Sequence, residues 1–187
     1  AKLFMTDGQV NRADAALQKA KSITTKEPMV HDLIGSTQSL MGDYQDASKS
    51  FLKANQYQAD HPPFMLNYAN NMIHHGDNDE AQMVLNNLVR IQENSPQAHW
   101  ALSSATKAKD TSHIEQMEKL INSGRNNDRS LAFYQYAVGK EYEDLQQWDK
   151  AFTAIEKGAK ARRSTVEFDE ANEIAMFEFI EQNYTRE

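Results

Sequence analysis

Apolar residues recur at helical spacing along nearly the whole chain, and polar residues fill the positions between them. After Gly42 and Asp43, for example, Tyr44, Ala47, Phe51 and Ala54 follow one another at intervals of three or four residues. This spacing places them on one side of a helix. The same reading along the chain predicts ten helices, at residues 9–25, 28–41, 44–60, 62–75, 78–93, 95–108, 111–123, 128–146, 148–163 and 167–184.

Several residue types also repeat every 34 residues. Glycine, alanine, a large apolar residue and proline each return at this interval, and a period near 34 is typical of stacked helix–turn–helix units. The four series are Gly8, Gly42 and Gly76; Ala13, Ala47 and Ala81; Leu17, Phe51 and Leu85; and Pro28, Pro62 and Pro96. We therefore expect a single repeat array, with a partial first repeat at 1–27, repeats at 28–61, 62–95, 96–127 and 128–163, and a last helix at 167–184.

The second unit combines small and large residues at offsets that resemble the tetratricopeptide repeat (TPR). The residues that match are Gly35, Gly42, Tyr44, Ala47, Phe51 and Ala54. The resemblance implies an all-α, right-handed TPR superhelix in which Ala47 and Ala81 are fully buried where paired helices cross. The fourth unit departs from the pattern, since Asp110 replaces its turn glycine. In the fifth unit we expect Trp148 to pack into the core.

The last predicted helix has an apolar side formed by Phe168, Ile174, Phe177 and Ile180. A repeat array needs a terminal element to cover its last exposed face. We therefore expect this helix to cap the second helix of the fifth repeat.

Composition narrows the possible functions. The net charge of −7, with acidic and basic residues interspersed, argues against a nucleic-acid partner. No apolar stretch is long enough to span a membrane. Cysteine is absent, which excludes structural disulfides and thiolate metal sites and favours a cytoplasmic location. Because the first repeat is only half present, we interpret the chain as a piece of a longer protein.

A narrower resemblance covers Phe133 to Phe179. This stretch resembles the last repeat of bacterial TPR-sulfotransferase fusion proteins, in which a TPR array precedes a sulfotransferase domain. The matching residues are Gly139-Lys140, Tyr142 to Leu145, Trp148 to Phe152, Gly158, Ala161 to Arg163, Phe168-Asp169 and Phe177. That catalytic domain needs a glycine-rich phosphate loop, which this chain lacks, so any sulfotransferase activity belongs to a parent polypeptide.

The candidate binding surface is the concave face, which the first helix of each pair lines in TPR arrays. Residues at i, i+4 and i+7 on those helices should face it. Its amides would form hydrogen bonds with the backbone of an extended peptide, and its apolar residues would pack on the side chains of that peptide. The alternative is a groove that is solvated or filled by the C-terminal helix. The predicted stripe is Asp32, Ser36 and Ser39; Leu66, Asn70 and Ile73, with Asn67 beside them; Trp100, Ser104 and Lys107; and Tyr136, Lys140 and Glu143.

Other candidate sites are weaker. Asn67 and Asn70 match part of the dicarboxylate clamp known from TPR proteins, but Asp32 and Leu66 stand where its basic residues belong. His74 and His75 are adjacent and point to different sides of a helix, which favours a solvated helix end over a metal site. The basic run of Lys157, Lys160, Arg162 and Arg163 suits the negative end of a helix, with a contact to an acidic surface or a downstream domain as the alternative.

No nucleophile and base come together in the sequence. We therefore expect a non-catalytic chain without a cofactor. The sequence predicts a scaffold for protein–protein or intramolecular domain interaction, as the N-terminal module of a sulfotransferase-like protein or, alternatively, as a stand-alone peptide-binding adaptor.

Overall fold

The computed structural model describes residues 1–184, and these fold into eleven helices without a strand. The all-α prediction is confirmed, and each of the ten predicted helices is present. A short additional helix, α1, precedes Gly8. The helices are α1 (Lys2–Thr6), α2 (Val10–Lys21), α3 (Pro28–Leu40), α4 (Tyr44–Tyr57), α5 (Pro62–His75), α6 (Asn78–Ile91), α7 (Pro96–Ala105), α8 (Ser112–Asn122), α9 (Asp128–Asp144), α10 (Trp148–Arg163) and α11 (Glu170–Asn183).

Proline and glycine set the helix boundaries. Pro28, Pro62 and Pro96 are the first residues of α3, α5 and α7, where the missing N–H of proline has no helical partner to lose. Gly42 and Gly76 follow α3 and α5 with φ of 83° and 96°, a backbone conformation that glycine adopts without strain. These residues therefore turn the chain back on itself in the second and third repeats.

Small residues allow the paired helices to approach closely. Ala47 and Ala81 are fully buried, as predicted. A Cβ atom added to Gly35 on α3 would lie 2.9 Å from the ring of Phe51 on α4. Since real Cβ atoms do not approach an aromatic ring this closely, the α3–α4 crossing depends on glycine at this position.

The fourth repeat is assembled differently from the second and third. α3 packs mainly on α4, and α5 on α6, whereas α7 packs mainly on α9. α8 also packs on α9, and its buried Ile114 and Met117 join Tyr134 of α9 in a separate apolar cluster. The degenerate sequence of this repeat therefore corresponds to a junction of three helices, in which α9 takes the place of the usual partner.

The expectation that Trp148 packs into the core is wrong, because its side chain is 60% exposed. Trp148 begins α10 in the same way that Tyr44 begins α4. The ring of Tyr44 stacks on His74 of the next repeat, with 5.8 Å between centroids. No following repeat covers Trp148 in the part of the chain that the structure describes.

The capping contact of the last helix is also not formed. α11 is present, but none of its residues is buried, and Phe177 on α11 and Phe152 on α10 are 64% and 71% exposed. Apolar residues lie on all sides of α11, so it has no single apolar face to match α10. The apolar surfaces of both helices remain open.

Candidate functional site

The predicted stripe lies on α3, α5, α7 and α9, the first helices of successive repeats, except for Lys107, which was predicted to be helical but follows the end of α7. The residues of the stripe differ in exposure. Asp32 is buried, and three residues near the C-terminal ends of α7 and α9 are exposed: Ser104, Lys107 and Glu143. The others are half-buried: Ser36, Ser39, Leu66, Asn67, Asn70, Ile73, Trp100, Tyr136 and Lys140. Leu66, Ile73 and Trp100 also pack on the core, so much of the stripe serves stability as well.

Asp32 and Asn67 link the first helices of the second and third repeats. The amide Nδ2 of Asn67 donates to both carboxylate oxygens of Asp32, at 2.9 and 3.1 Å. Burial raises the pKa of Asp32 above its usual value, and the hydrogen bond from Asn67 opposes this rise. The sequence predicted that the Asn67 amide would bond a ligand, but in the structure its N–H groups are directed to Asp32, which leaves its carbonyl oxygen and Asn70 for that role.

An aromatic pocket of about 390 Å³ lies where α7, α9 and the end of α10 meet. The rings of Trp100 and Tyr136 meet edge to face, with 6.2 Å between centroids. The aromatic pocket is completed by Phe133, Ala132 and two exposed arginines, Arg129 and Arg162. It therefore joins two predicted stripe residues to a pair of positive charges.

Lys140 is held within the protein rather than free for a ligand. Its ammonium group donates to the carbonyl of Thr106 and, at 2.7 Å, to Asp144. Asp144 also accepts from the N–H of Ala108 at 2.9 Å. Burial opposes ionisation of Asp144, but Lys140 and Ala108 lower its pKa below the usual value. These contacts fasten the α7–α8 loop to α9.

A buried polar network, formed by Ser103, His99, His113 and Glu141, joins α7, α8 and α9. The hydroxyl of Ser103 donates to Oε1 of Glu141 at 2.5 Å, and Nδ1 of His113 lies 2.6 Å from the same oxygen. The second nitrogen of His113 lies 2.8 Å from Nδ1 of His99, whose Nε2 lies 2.7 Å from the carbonyl of Glu93. The buried polar network fastens the helix junction of the fourth repeat.

The Glu93 carbonyl fixes the direction of the hydrogen bonds between the two histidines. A carbonyl oxygen only accepts, so neutral His99 donates through Nε2 and accepts through Nδ1. The Nε2 of His113 is therefore the donor in its contact with His99.

The buried polar network does not resemble a catalytic triad. The hydroxyl of Ser103 is buried and donates to a carboxylate, not to an imidazole, so no histidine is placed to remove its proton. Oε2 of Glu141 is buried without a hydrogen-bond partner. Sequence reasoning missed the network because its hydrogen-bonded pairs lie 14 to 38 residues apart and only the packing of α7 and α8 on α9 brings them together. The sequence signal for the buried polar network was the departure of the fourth repeat from the repeat pattern.

The remaining candidates lie on the surface. His74 and His75 are exposed at the end of α5, where His75 lies 3.8 Å from Asp77. Within residues 1–184, no cluster of histidine and carboxylate side chains is arranged to hold a metal ion. Within the same range, no helix combines the length and the apolar character of a membrane span. Near the end of α10, Lys160 pairs with Glu156 at 2.8 Å, and the guanidinium of Arg163 lies 5.5 Å from the centroid of the Phe168 ring.

Comparison with known proteins supports the repeat architecture. Residues 40–105 match the family model described as Tetratricopeptide repeat. The fold is a TPR-like solenoid. Solved structures that share it include MamA from Desulfovibrio magneticus RS-1, with 18% identity, a TM-score of 0.66, and 89% of this chain and 93% of that chain covered.

A second similar structure is a Podosopora anserina putative kinesin light chain with nearly identical TPR-like repeats. It has 17% identity and a TM-score of 0.68, with 89% of this chain and 93% of that chain covered. No curated protein sequence is significantly similar to this chain. At these identities the structural matches establish the fold and not the ligand. TPR solenoids are scaffolds typical of protein–protein interaction, and they are generally non-catalytic.

Proposed function

We propose that this chain is a non-catalytic scaffold that binds an extended protein segment along α3, α5, α7 and α9. The observation that carries the proposal is the aromatic pocket, where Trp100 and Tyr136 from two successive first helices enclose an open volume. Buried aromatic anchors contribute most of the energy of many protein interfaces. Asn70 and the free carbonyl oxygen of Asn67 lie on α5, two helices away, where they supply polar contacts to the backbone of the same segment.

The tryptophan content of the chain allows a direct test. The chain contains two tryptophans, Trp100 in the aromatic pocket and Trp148 at the exposed start of α10. In a Trp148→Phe variant, Trp100 alone reports on the aromatic pocket. We expect peptides selected from a random display library on the full chain to shift the Trp100 emission. Replacing Trp100 with Ala should abolish their binding, whereas Trp148→Ala, the matched control, should leave it unchanged.

We propose two alternative protein contexts for this scaffold. In the first, it is the N-terminal module of a sulfotransferase-like protein and contacts the downstream domain; the resemblance of Phe133 to Phe179 supports this setting. In the second, it is a stand-alone adaptor. A cytoplasmic location fits both, since the chain has no cysteine. The full-length gene product distinguishes them, because the first setting requires a glycine-rich phosphate loop beyond Glu187.

A further inference from the structure

α11 presents an unusual surface for an isolated helix. None of its residues is buried, and its large apolar side chains remain 44–64% exposed. They lie around the whole circumference of the helix: Ile174, Met176, Phe177, Phe179 and Ile180. A helix with apolar residues on all sides is normally covered by protein.

The charged side chains of the segment around α11 are all negative. Residues 164–184 contain six carboxylates and no lysine or arginine. Glu178 lies between Phe177 and Phe179 in the sequence, so one carboxylate is flanked by two aromatic residues. The segment therefore needs a covering surface that combines aromatic walls with positive charge.

The aromatic pocket has that composition. Trp100, Phe133 and Tyr136 form its walls, and Arg129 and Arg162 lie at its edge. Among the described residues, neither arginine takes part in an ion pair. A guanidinium group suits both requirements, since it bonds carboxylates and stacks on aromatic rings.

We infer that α11 of a second copy of this chain occupies the aromatic pocket. Phenylalanines of the incoming helix would lie against Trp100 and Tyr136, and its carboxylates would pair with Arg129 and Arg162. This inference rests on the proposed function in one respect, the use of the aromatic pocket as an anchor site; its occupant is a helix and not an extended segment.

The path of the chain favours a reciprocal exchange between two copies. Ser164, which follows α10, donates to Asp128 at 2.6 Å, and Asp128 is the neighbour of Arg129. The segment that links α10 to α11 therefore begins at the edge of the chain's own aromatic pocket. If two copies exchanged α11, the linking segments of both would lie beside the aromatic pockets of both. The exchange closes as a two-fold dimer and does not extend into a filament.

The mass of the full chain in solution tests the inference. Sedimentation velocity at increasing protein concentration should show a species of twice the 21.3 kDa of one chain. Association should weaken as salt is raised, since screening reduces the attraction between surface charges. Replacing Phe177 and Phe179 with Ser should abolish the dimer, and so should replacing Arg129 and Arg162 with Glu.

Matched substitutions elsewhere serve as controls. Met83→Ser removes an apolar side chain that is 68% exposed on α6, and Arg90→Glu reverses an exposed charge on the same helix. Both variants should remain dimeric. Far-ultraviolet circular dichroism of each variant confirms that its helices are intact.

A mixing experiment tests exchange between copies. A chain with Glu178→Arg and Glu181→Arg should be monomeric alone, as should the chain with Arg129→Glu and Arg162→Glu. Mixed together, the two should associate. The basic α11 of the first variant would enter the acidic aromatic pocket of the second, and the acidic α11 of the second would enter the basic aromatic pocket of the first.

Three results would overturn the inference. One is a monomer at all concentrations with rapid amide exchange in α11. Another is a monomer in which the amides of α11 are protected from exchange, which would place the helix against the aromatic pocket of its own chain. The third is a dimer that the Arg129 and Arg162 substitutions leave intact. If the chain is monomeric and Trp100 still responds to a selected peptide, the inference fails while the proposed function stands.

Discussion

Ser103 and Glu141, 38 residues apart in sequence, are joined by a hydrogen bond of 2.5 Å between α7 and α9. Ser103 stands where glycine occupies the second and fifth repeats, at Gly35 and Gly139. The small side chain still lets the helices approach, and its hydroxyl adds a polar link. The junction of the fourth repeat therefore combines close packing with a polar network that the second and third repeats do not have at this position.

Replacing Glu141 with Ala should lower the free energy of unfolding by about 3 kcal/mol. The change leaves the hydroxyl of Ser103 and the ring of His113 without their acceptor in a buried junction. Urea unfolding measures the effect. Glu143→Ala, an exposed position on the same helix, is the control and should change the value by less than about 0.5 kcal/mol. Equal effects of the two substitutions would show that the buried polar network adds nothing to stability.

Acidification should destabilise the fold through His99. Burial lowers the pKa of His99 from 6.5 to about 4, although the Glu93 carbonyl opposes the shift. Between these values the unfolded chain binds a proton that the folded chain does not, so stability is lost as pH falls from about 7 to about 4. The full shift corresponds to about 3 kcal/mol.

The test for His99 compares two unfolding series over this pH range. Carboxylates with lowered pKa, such as Asp144, also contribute to the loss of stability at the acid end, in the wild type and in the variant alike. The wild-type chain should nevertheless lose more stability than a His99→Gln variant, because the variant has no titrating group at this position. Substitution of exposed His74 with Gln should leave the wild-type slope unchanged. Parallel curves for wild type and His99→Gln would contradict the assignment.

Gly35→Ala should lower the free energy of unfolding by about 1–2 kcal/mol, despite the higher helix propensity of alanine. The added Cβ would lie 2.9 Å from the buried ring of Phe51, which has little room to move. Thermal melts measure the loss. Ser36→Ala, at the next residue of α3, should be nearly neutral. A gain in stability for Gly35→Ala would mean that the α3–α4 crossing is looser than in the structure.

Asn67→Ala should raise the pKa of Asp32 further. Burial already raises it, and the hydrogen bond from Asn67 is the main opposing influence. Carbon-detected NMR titration of the Asp32 carboxyl group measures the change directly. Asn70→Ala, one turn along α5, should leave the pKa of Asp32 unchanged. If the two variants gave the same titration curve, the Asn67 contact would be irrelevant to the charge of Asp32.

Local sequence determined the helices, their order and the close contacts within repeats. Proline at the first helical position, glycine with positive φ after the last, and small residues at the crossings act over a few residues, so a 34-residue pattern is enough to reveal them. Ala47, Ala81 and Gly35 were predictable for this reason.

The tertiary structure decided how the fourth repeat is joined and what lies at the C-terminal end. The contact of Ser103 with Glu141 depends on α7 packing on α9, which no periodicity encodes. The exposure of Trp148 and of α11 depends on whether another element covers them, and a repeat pattern indicates only that an apolar surface exists. The conformational constraints of proline and glycine act within one turn, whereas the burial of a polar or apolar group depends on every helix that reaches it.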